Sequence, residues 1–368
     1  MKRITLVIPS LACGGAERNL SMMANYFATH GSNVTLITLA AAETDFFQLH
    51  PQIERVALNL LRVSTGVWDA LKSNWQRLRR LRQAIKNSQP ETVISLMDRT
   101  NTLTLLATIG LTIPVIVMEQ TDPRQRDIGW LWHRLRRWLY PRASAIVVLT
   151  EELREWANQF VSREEKIHVI PNPVAISEQT TEAALSRVAN KCVLAGMGRL
   201  VPSKGFNLLL RAFAQCANQH PEWTLTIFGE GEERRHLEML AADLKISSCV
   251  NLPGLTPNPM RSLSGADLFV MTSQYEGFPL SLLEAMACGV PVISFDCPTG
   301  PRQIIREGVD GLLIPLGDID TLAAAMHRLM SDQSARERMG QRAKEVIDRF
   351  GLEQVMRLWE KTLARVKR

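Results

Sequence analysis

Apolar and polar positions alternate along the chain on two length scales. Short β-branched runs, ITLVI after Arg3, VTLIT after Asn33, TVISL after Glu91, VIVM after Pro114 and AIVV after Ser144, are separated by longer stretches with apolar residues at steps of three and four. Runs that are apolar without interruption predict strands buried on both faces of a parallel sheet, and the intervening stretches predict the covering helices, for example Leu20 to His30 and one from Glu151. After Pro171-Asn172-Pro173 the alternation starts again with VLAGMG, LTIFGEG, VNLPG, LFVMTS, PVISFD and GLLIP. The pattern predicts two α/β doubly wound domains, residues 1–172 and 173–349. A terminal helix over 350–368 is expected to cross back to the first. Ligands of open parallel sheets bind beyond the carboxyl ends of the strands, so two such domains are expected to face each other across a cleft.

Composition narrows the classes. At 368 residues with 46% hydrophobic and 22% charged residues, the chain is too long for one core and too balanced for disorder. Pro9 cuts the first apolar run short, which reads as a buried strand and not a signal segment. The stretch Thr102 to Met118 is broken by Gly110 and Pro114, and no transmembrane helix is expected. Six cysteines without a CxxC pair fit a reduced, cytoplasmic compartment and offer no zinc ligand set. Asp318-Ile319-Asp320 precedes TLAAAMHRLM and reads as a helix cap, so no metal site and no cofactor are expected.

The net charge of +6 lies in the first part. Residues 1–172 hold 21 Lys+Arg against 15 Asp+Glu, whereas the remainder is balanced. Arg62 to Lys86 and Arg124 to Arg142 are the cationic segments, and they contain five of the eight tryptophans. In the first, Trp68, Leu71, Trp75, Leu78, Leu81 and Ile85 form one helical stripe. Two readings stand for these segments. Either both helices pack their stripes on the sheet and solvate their charges, or they lie on an anionic membrane surface, with Lys72, Trp75, Arg79, Arg82, Trp132, Arg136 and Trp138 facing lipid. Nucleic acid is disfavoured as a partner, because no recognised module accompanies the patch.

The chemistry concentrates in Ser273 to Ile293, SQYEGFPLSLLEAMACGVPVI. Glu276 falls in a loop and Glu284 on the helix that starts near Leu280, with Gly277, Phe278 and Pro279 between. A helix start offers free N–H groups and partial positive charge to a phosphate, and ionised carboxylates accept strong hydrogen bonds from sugar hydroxyls. A second loop carries Arg199 and Lys204 after VLAGMG, two cations able to neutralise a diphosphate. Gly14-Gly15, after the first strand, lets backbone approach a ligand, although a plain tight turn explains the pair equally well.

These segments resemble the family 4 glycosyltransferases, whose two-domain GT-B enzymes are retaining, and more particularly those of bacterial cell-surface polysaccharide synthesis. The resemblance is specific mainly from Met197 to Gly317. It implies that Glu276 holds hydroxyls of the donor sugar, that Glu284 holds the ribose, and that Arg199 and Lys204 stabilise the leaving diphosphate. It also implies that Gly14, Gly15, Gly229, Glu230, Gly277, Phe278 and Leu280 lie beside the donor, with Leu252 to Leu255 receiving the base. Many family members carry an acceptor-domain histidine after a central strand, whereas here Met118 leads to Glu119, Gln120, Thr121 and Asp122. Asp98, Arg99, Glu119 and Asp122 are therefore the acceptor-side candidates. The expected reaction is metal-independent transfer from a nucleotide sugar, UDP-linked, to a membrane-associated, polyprenyl-diphosphate-linked saccharide, by a cytoplasmic enzyme peripheral on the inner face of the plasma membrane. A soluble transferase using a free saccharide and a nucleotide-sugar epimerase are the alternatives.

Overall fold

The computed structural model describes residues 2–61, 66–125, 127–175 and 191–366, and of Val67, Trp68, Ala70 and Leu71 the backbone alone. The chain divides into two compact units, Met1–Asn172 with Glu353–Arg368, and Pro173–Leu352. Arg62, Arg126 and the side chains of Trp68 and Leu71, all part of the cationic segments, lie outside the described residues.

The first unit is built on a parallel sheet of β1 (Arg3–Ile8), β2 (Asn33–Thr38), β3 (Glu54–Ala57), β4 (Thr92–Leu96), β5 (Val115–Met118), β6 (Ala145–Val148) and β7 (Ile167–Val169). Their order is β3-β2-β1-β4-β5-β6-β7. Strands β4, β5 and β6 are buried along their whole length, as continuous apolar runs require when helices cover both faces. Sequence pattern does not reveal β3 and β7. The edge strand β3 is nowhere fully buried, and β7 has only three residues, so neither needs an unbroken apolar run.

The second unit repeats the plan with β8 (Cys192–Met197), β9 (Trp223–Phe228), β10 (Val250–Gly254), β11 (Leu268–Met271), β12 (Val292–Phe295) and β13 (Gly311–Ile314), in the order β10-β9-β8-β11-β12-β13. Trp223, Phe213, Phe295 and Met326 are among the side chains that fill its core. Val174 forms a parallel bridge with Gly351 where the chain enters and leaves this unit. Helix Leu352–Val366 follows, and its Trp359 and Leu363 are buried.

In each sheet the chain reverses direction once. It runs outward from β1 to β3 and then resumes at β4, on the other side of β1; from β8 it runs to β10 and resumes at β11, on the other side of β8. The loops leaving the carboxyl ends of β1 and β4, and those leaving β8 and β11, therefore diverge, and each gap is a topological switch point. The two doubly wound sheets give the α/β class expected from the alternation. Among the described residues no helix is long and apolar enough to cross a membrane, and no group of His, Cys, Asp and Glu is arranged to hold a metal ion. Asp318 caps helix Ile319–Ser331, its carboxylate accepting from the Thr321 N–H at 3.0 Å.

Candidate functional site

At the switch point of the second unit, three loops are fastened together by backbone. The loop after β8 donates from Leu200 N–H to the Glu230 carbonyl, 2.9 Å, and receives Glu233 N–H on the Leu200 carbonyl, 3.0 Å. The loop after β11 donates from Gln274 N–H to the Ser203 carbonyl, 2.8 Å, while the Thr272 hydroxyl donates to the Lys204 carbonyl, 3.1 Å. Two glycines make this closeness feasible. Gly205 has φ +62°, and a Cβ there would lie 2.2 Å from the Thr272 carbonyl oxygen; Gly229 has φ +148°, and its Cβ would lie 1.9 Å from the Gly198 carbonyl oxygen.

That scaffold brings Lys204 to Glu276. The ammonium donates to Oε1 of the carboxylate in a short ion pair, with the side chains 23% and 11% exposed. Both groups are thus largely removed from water yet open on one side, which fixes two opposite charges before any ligand contributes. Glu276 is held from behind, since the Thr299 hydroxyl donates to its carbonyl oxygen. The same charges reach the neighbouring thiol: Cys297 is pushed up to about 12 by burial and by the Glu276 carboxylate, Lys204 pulling the other way. Arg199, in the same loop as Lys204, is exposed.

Helix Leu280–Ala287 begins at Pro279, where no side chain caps it and no acid occupies its first turn. Its first N–H groups are therefore a positive terminus suited to an anion. Glu284 lies one turn further in and is 4% exposed. Burial and the Glu284 charge push Cys288 up to about 12. Phe278 and Leu280 are buried, Phe278 packing edge-on to Phe350 with centroids 5.1 Å apart, so their side chains face the interior of the unit.

Glu230 is braced by a neighbour while its side chain stays 44% exposed. Arg234 grips its carboxylate at 2.5 and 2.8 Å and also donates to the Leu252 carbonyl at 3.1 Å, bracing the loop after β9 against the end of β10. In the first unit, Gly14 is extended, with φ −164°, and Gly15 is the first residue of helix Gly15–Thr29. A Cβ on Gly14 would strike the Glu17 carboxylate at 2.3 Å.

Two of the four acceptor-side candidates stand at the switch point of the first unit. Asp98 begins helix Asp98–Ala107 after Met97, whose φ of +75° marks a strained turn out of β4. Exposed Arg99 donates to the Ile128 carbonyl at 3.3 Å and lies over the Trp132 ring. Asp98 is itself buried, 8% exposed. The other two are corrected because each carboxylate is buried against an arginine of its own unit. Glu119 is 1% exposed, accepts a short hydrogen bond from the Tyr140 hydroxyl, and has Arg136 at 3.8 Å; burial and that carboxylate raise Tyr140 far above its ordinary value. Asp122 is fully buried and closed by Arg124, which reaches it from both backbone and guanidinium at 2.9 Å. Sequence pattern does not find Tyr140 and Asn101, which complete the Glu119 cluster, because they lie on other elements.

The membrane-facing set divides similarly. Lys72, Trp75, Arg79 and Trp138 are exposed, and Arg82 is half-buried, donating to the carbonyls of Ala107 and Ile109 at 2.6 and 2.8 Å. Arg136 is 4% exposed and lies over the Trp156 ring, and Trp132 sits beneath Arg99, so neither faces outward as expected. Both lie on the inward side of helix Trp130–Leu139, where the Arg136 charge meets Glu119.

Residues 14–173 match the family described as Glycosyl transferase 4-like domain, and residues 178–346 match Glycosyl transferases group 1. The chain is 37% identical over 222 residues to an exopolysaccharide phosphotransferase of Streptomyces coelicolor, covering 60% of this chain and 23% of that protein's length. It is 28% identical to the GalNAc-alpha-(1->4)-GalNAc-alpha-(1->3)-diNAcBac-PP-undecaprenol alpha-1,4-N-acetyl-D-galactosaminyltransferase of Campylobacter jejuni, over 100% of this chain and 99% of that one. Among solved structures, Anabaena HepE in complex with UDP and glucose superposes with a TM-score of 0.80 at 21% identity, covering 99% of this chain and 100% of that one, a likeness of fold. With both of its units matched in this order, the chain belongs to the glycosyltransferases of GT-B fold that pair a 4-like domain with a group 1 domain.

Proposed function

We propose that the protein is a retaining, metal-independent glycosyltransferase that moves a hexose or N-acetylhexosamine from a UDP-linked donor to a polyprenyl-diphosphate-linked saccharide in bacterial cell-surface polysaccharide synthesis. The observation that carries this reading is the paired, largely buried Lys204 and Glu276 beside the uncapped start of helix Leu280–Ala287. A diphosphate needs cations and N–H donors, and a sugar needs carboxylate acceptors; this one switch point offers both. The acceptor class is supported by the Campylobacter jejuni relative, named for a PP-undecaprenol-linked substrate, and UDP by the HepE complex.

In this reading Glu276 accepts from donor-sugar hydroxyls and Glu284 from the ribose. Arg199, Lys204 and the helix start take the diphosphate, and the backbone at Gly229, Gly277, Phe278 and Leu280 lines the donor. The base rests on backbone at Leu252 to Leu255. As the bond from the anomeric carbon to the diphosphate oxygen breaks, its electron pair passes to the diphosphate, where the fixed cations stabilise the charge. The acceptor oxygen attacks from the same face and its proton passes to the departing diphosphate, so configuration is retained without an enzyme nucleophile or a metal. Asp98 and Arg99 orient the acceptor. The enzyme works in the cytoplasm, peripheral on the inner face of the plasma membrane, and takes no nucleic acid.

A donor screen tests this: purified protein is given each nucleotide sugar with and without a lipid-linked saccharide. Acceptor-dependent consumption of a UDP-sugar, with retained anomeric configuration in the product, is expected. Consumption of none, or donor conversion that needs no acceptor, overturns the proposal.

A further inference from the structure

Helix Trp130–Leu139 inverts the usual pattern of a surface helix. Its inward side holds Arg136 and Leu139, while Trp130, Leu131 and Trp138, 71%, 50% and 53% exposed, share the outward side with exposed Arg134 and Arg137. No acid occurs in this helix. Helix Val67–Asn87 carries a matching face of exposed Lys72, Trp75, Arg79, Arg80 and Lys86, without an acid after Asp69, and Trp75 is 61% exposed. Both helices pack on the buried helix Asp98–Ala107 and so lie on one side of the first sheet. Guanidinium groups hold two of the indoles: Arg142 stands 3.9 Å over Trp138 and Arg79 stands 5.4 Å over Trp75. Beside Trp138 opens a groove of about 380 Å³ lined by Leu105, Ile109, Leu111 and Ile113, with Ile109 half exposed at its rim.

We propose that these two outward faces and the groove form one docking surface for an anionic phospholipid bilayer. This rests on the reading of the acceptor as membrane-borne and assigns the contact to particular side chains. Exposed indoles beside arginines suit headgroup depth, and a face with cations and no acids complements anionic lipid. The aliphatic Leu131 and Ile109 set lipid apart from nucleic acid, since neither offers a base a ring to stack on. The outward set also differs from the one the sequence suggests: Trp130, Leu131, Arg134 and Arg137 replace Trp132 and Arg136.

The test is flotation of the full chain with phosphatidylcholine vesicles, with and without phosphatidylglycerol, in the absence of acceptor and nucleotide sugar. Phosphatidylglycerol-dependent, salt-sensitive binding is expected, weakened at least about tenfold in Arg134→Glu/Arg137→Glu and in Trp130→Ser/Trp138→Ser. Thermal melting checks that each variant is folded. On the unaltered protein, brominated phosphatidylglycerol is expected to quench indole emission. The proposal falls if the protein ignores anionic vesicles, if both folded variants bind as the wild type does, or if polyuridylate is bound while vesicles are not. Failed flotation beside successful transfer to a lipid-linked saccharide sinks this surface alone, whereas failed transfer beside successful flotation sinks the functional reading.

Discussion

At the scale of single residues, the site depends as much on two missing side chains as on the charged ones. Gly205 accepts a left-handed backbone and a carbonyl neighbour that no Cβ tolerates, and it sits directly after Lys204. Gly205→Ala is expected to destabilise the second unit by on the order of 2 kcal/mol, seen in urea unfolding, and to lower turnover by moving the lysine. The sequence makes Lys204, Glu276 and Glu284 legible because they fall in short, distinctive motifs. It cannot show that Lys204 pairs with Glu276, or that Thr299 holds Glu276 from behind, since these contacts join loops 72 and 23 residues apart. Glu230 is a similar case: its Gly-Glu-Gly turn is visible in the sequence, but its ion pair with Arg234, one helical turn on, appears only in the structure.

Among the elements, helix Trp130–Leu139 has the least legible orientation. Periodicity identifies it as helical and aromatic, but it has apolar residues on both sides, so hydrophobicity alone does not say which side is buried. The buried Glu119 decides the matter by drawing Arg136 inward, with Tyr140 and Asn101 completing the hydrogen bonds. Breaking a buried pair leaves one charge uncompensated, so Glu119→Ala or Arg136→Ala is expected to cost about 3–5 kcal/mol of first-unit stability, measurable by denaturant unfolding. A turnover loss in Glu119→Gln that exceeds its loss of folded protein would return Glu119 to the acceptor site. The edge strand β7 supplies a pH dependence. Burial, then the positive charges of Arg365 and Arg154, lower His168 from its ordinary value of 6.5. The folded state binds that proton less readily than the unfolded chain, so this contribution to stability is complete above about 6.5 and declines as pH falls below it. The urea midpoint is accordingly expected to drop on acidification, and the drop to shrink in His168→Gln.

For the molecule as a whole, fold class follows from sequence because parallel strands buried on both faces read as near-continuous apolar runs, as β5, β6 and β11 do. The placement of charge is legible only in part. A net +6 divides by position into a basic first part and a balanced second one, but the structure decides which cations are spent on carbonyls, as Arg82 is, and which stand outward. The central claim is that catalysis rests on fixed charge in the second unit. It is tested most directly by turnover of the UDP-sugar with lipid-linked acceptor, in the presence of a metal chelator, for the wild type against Lys204→Ala and Arg199→Ala. Undiminished wild-type turnover and a fall of about a hundredfold or more in Lys204→Ala are predicted. Turnover within about threefold of the wild type in either variant, or a wild type silenced by the chelator, would contradict the account.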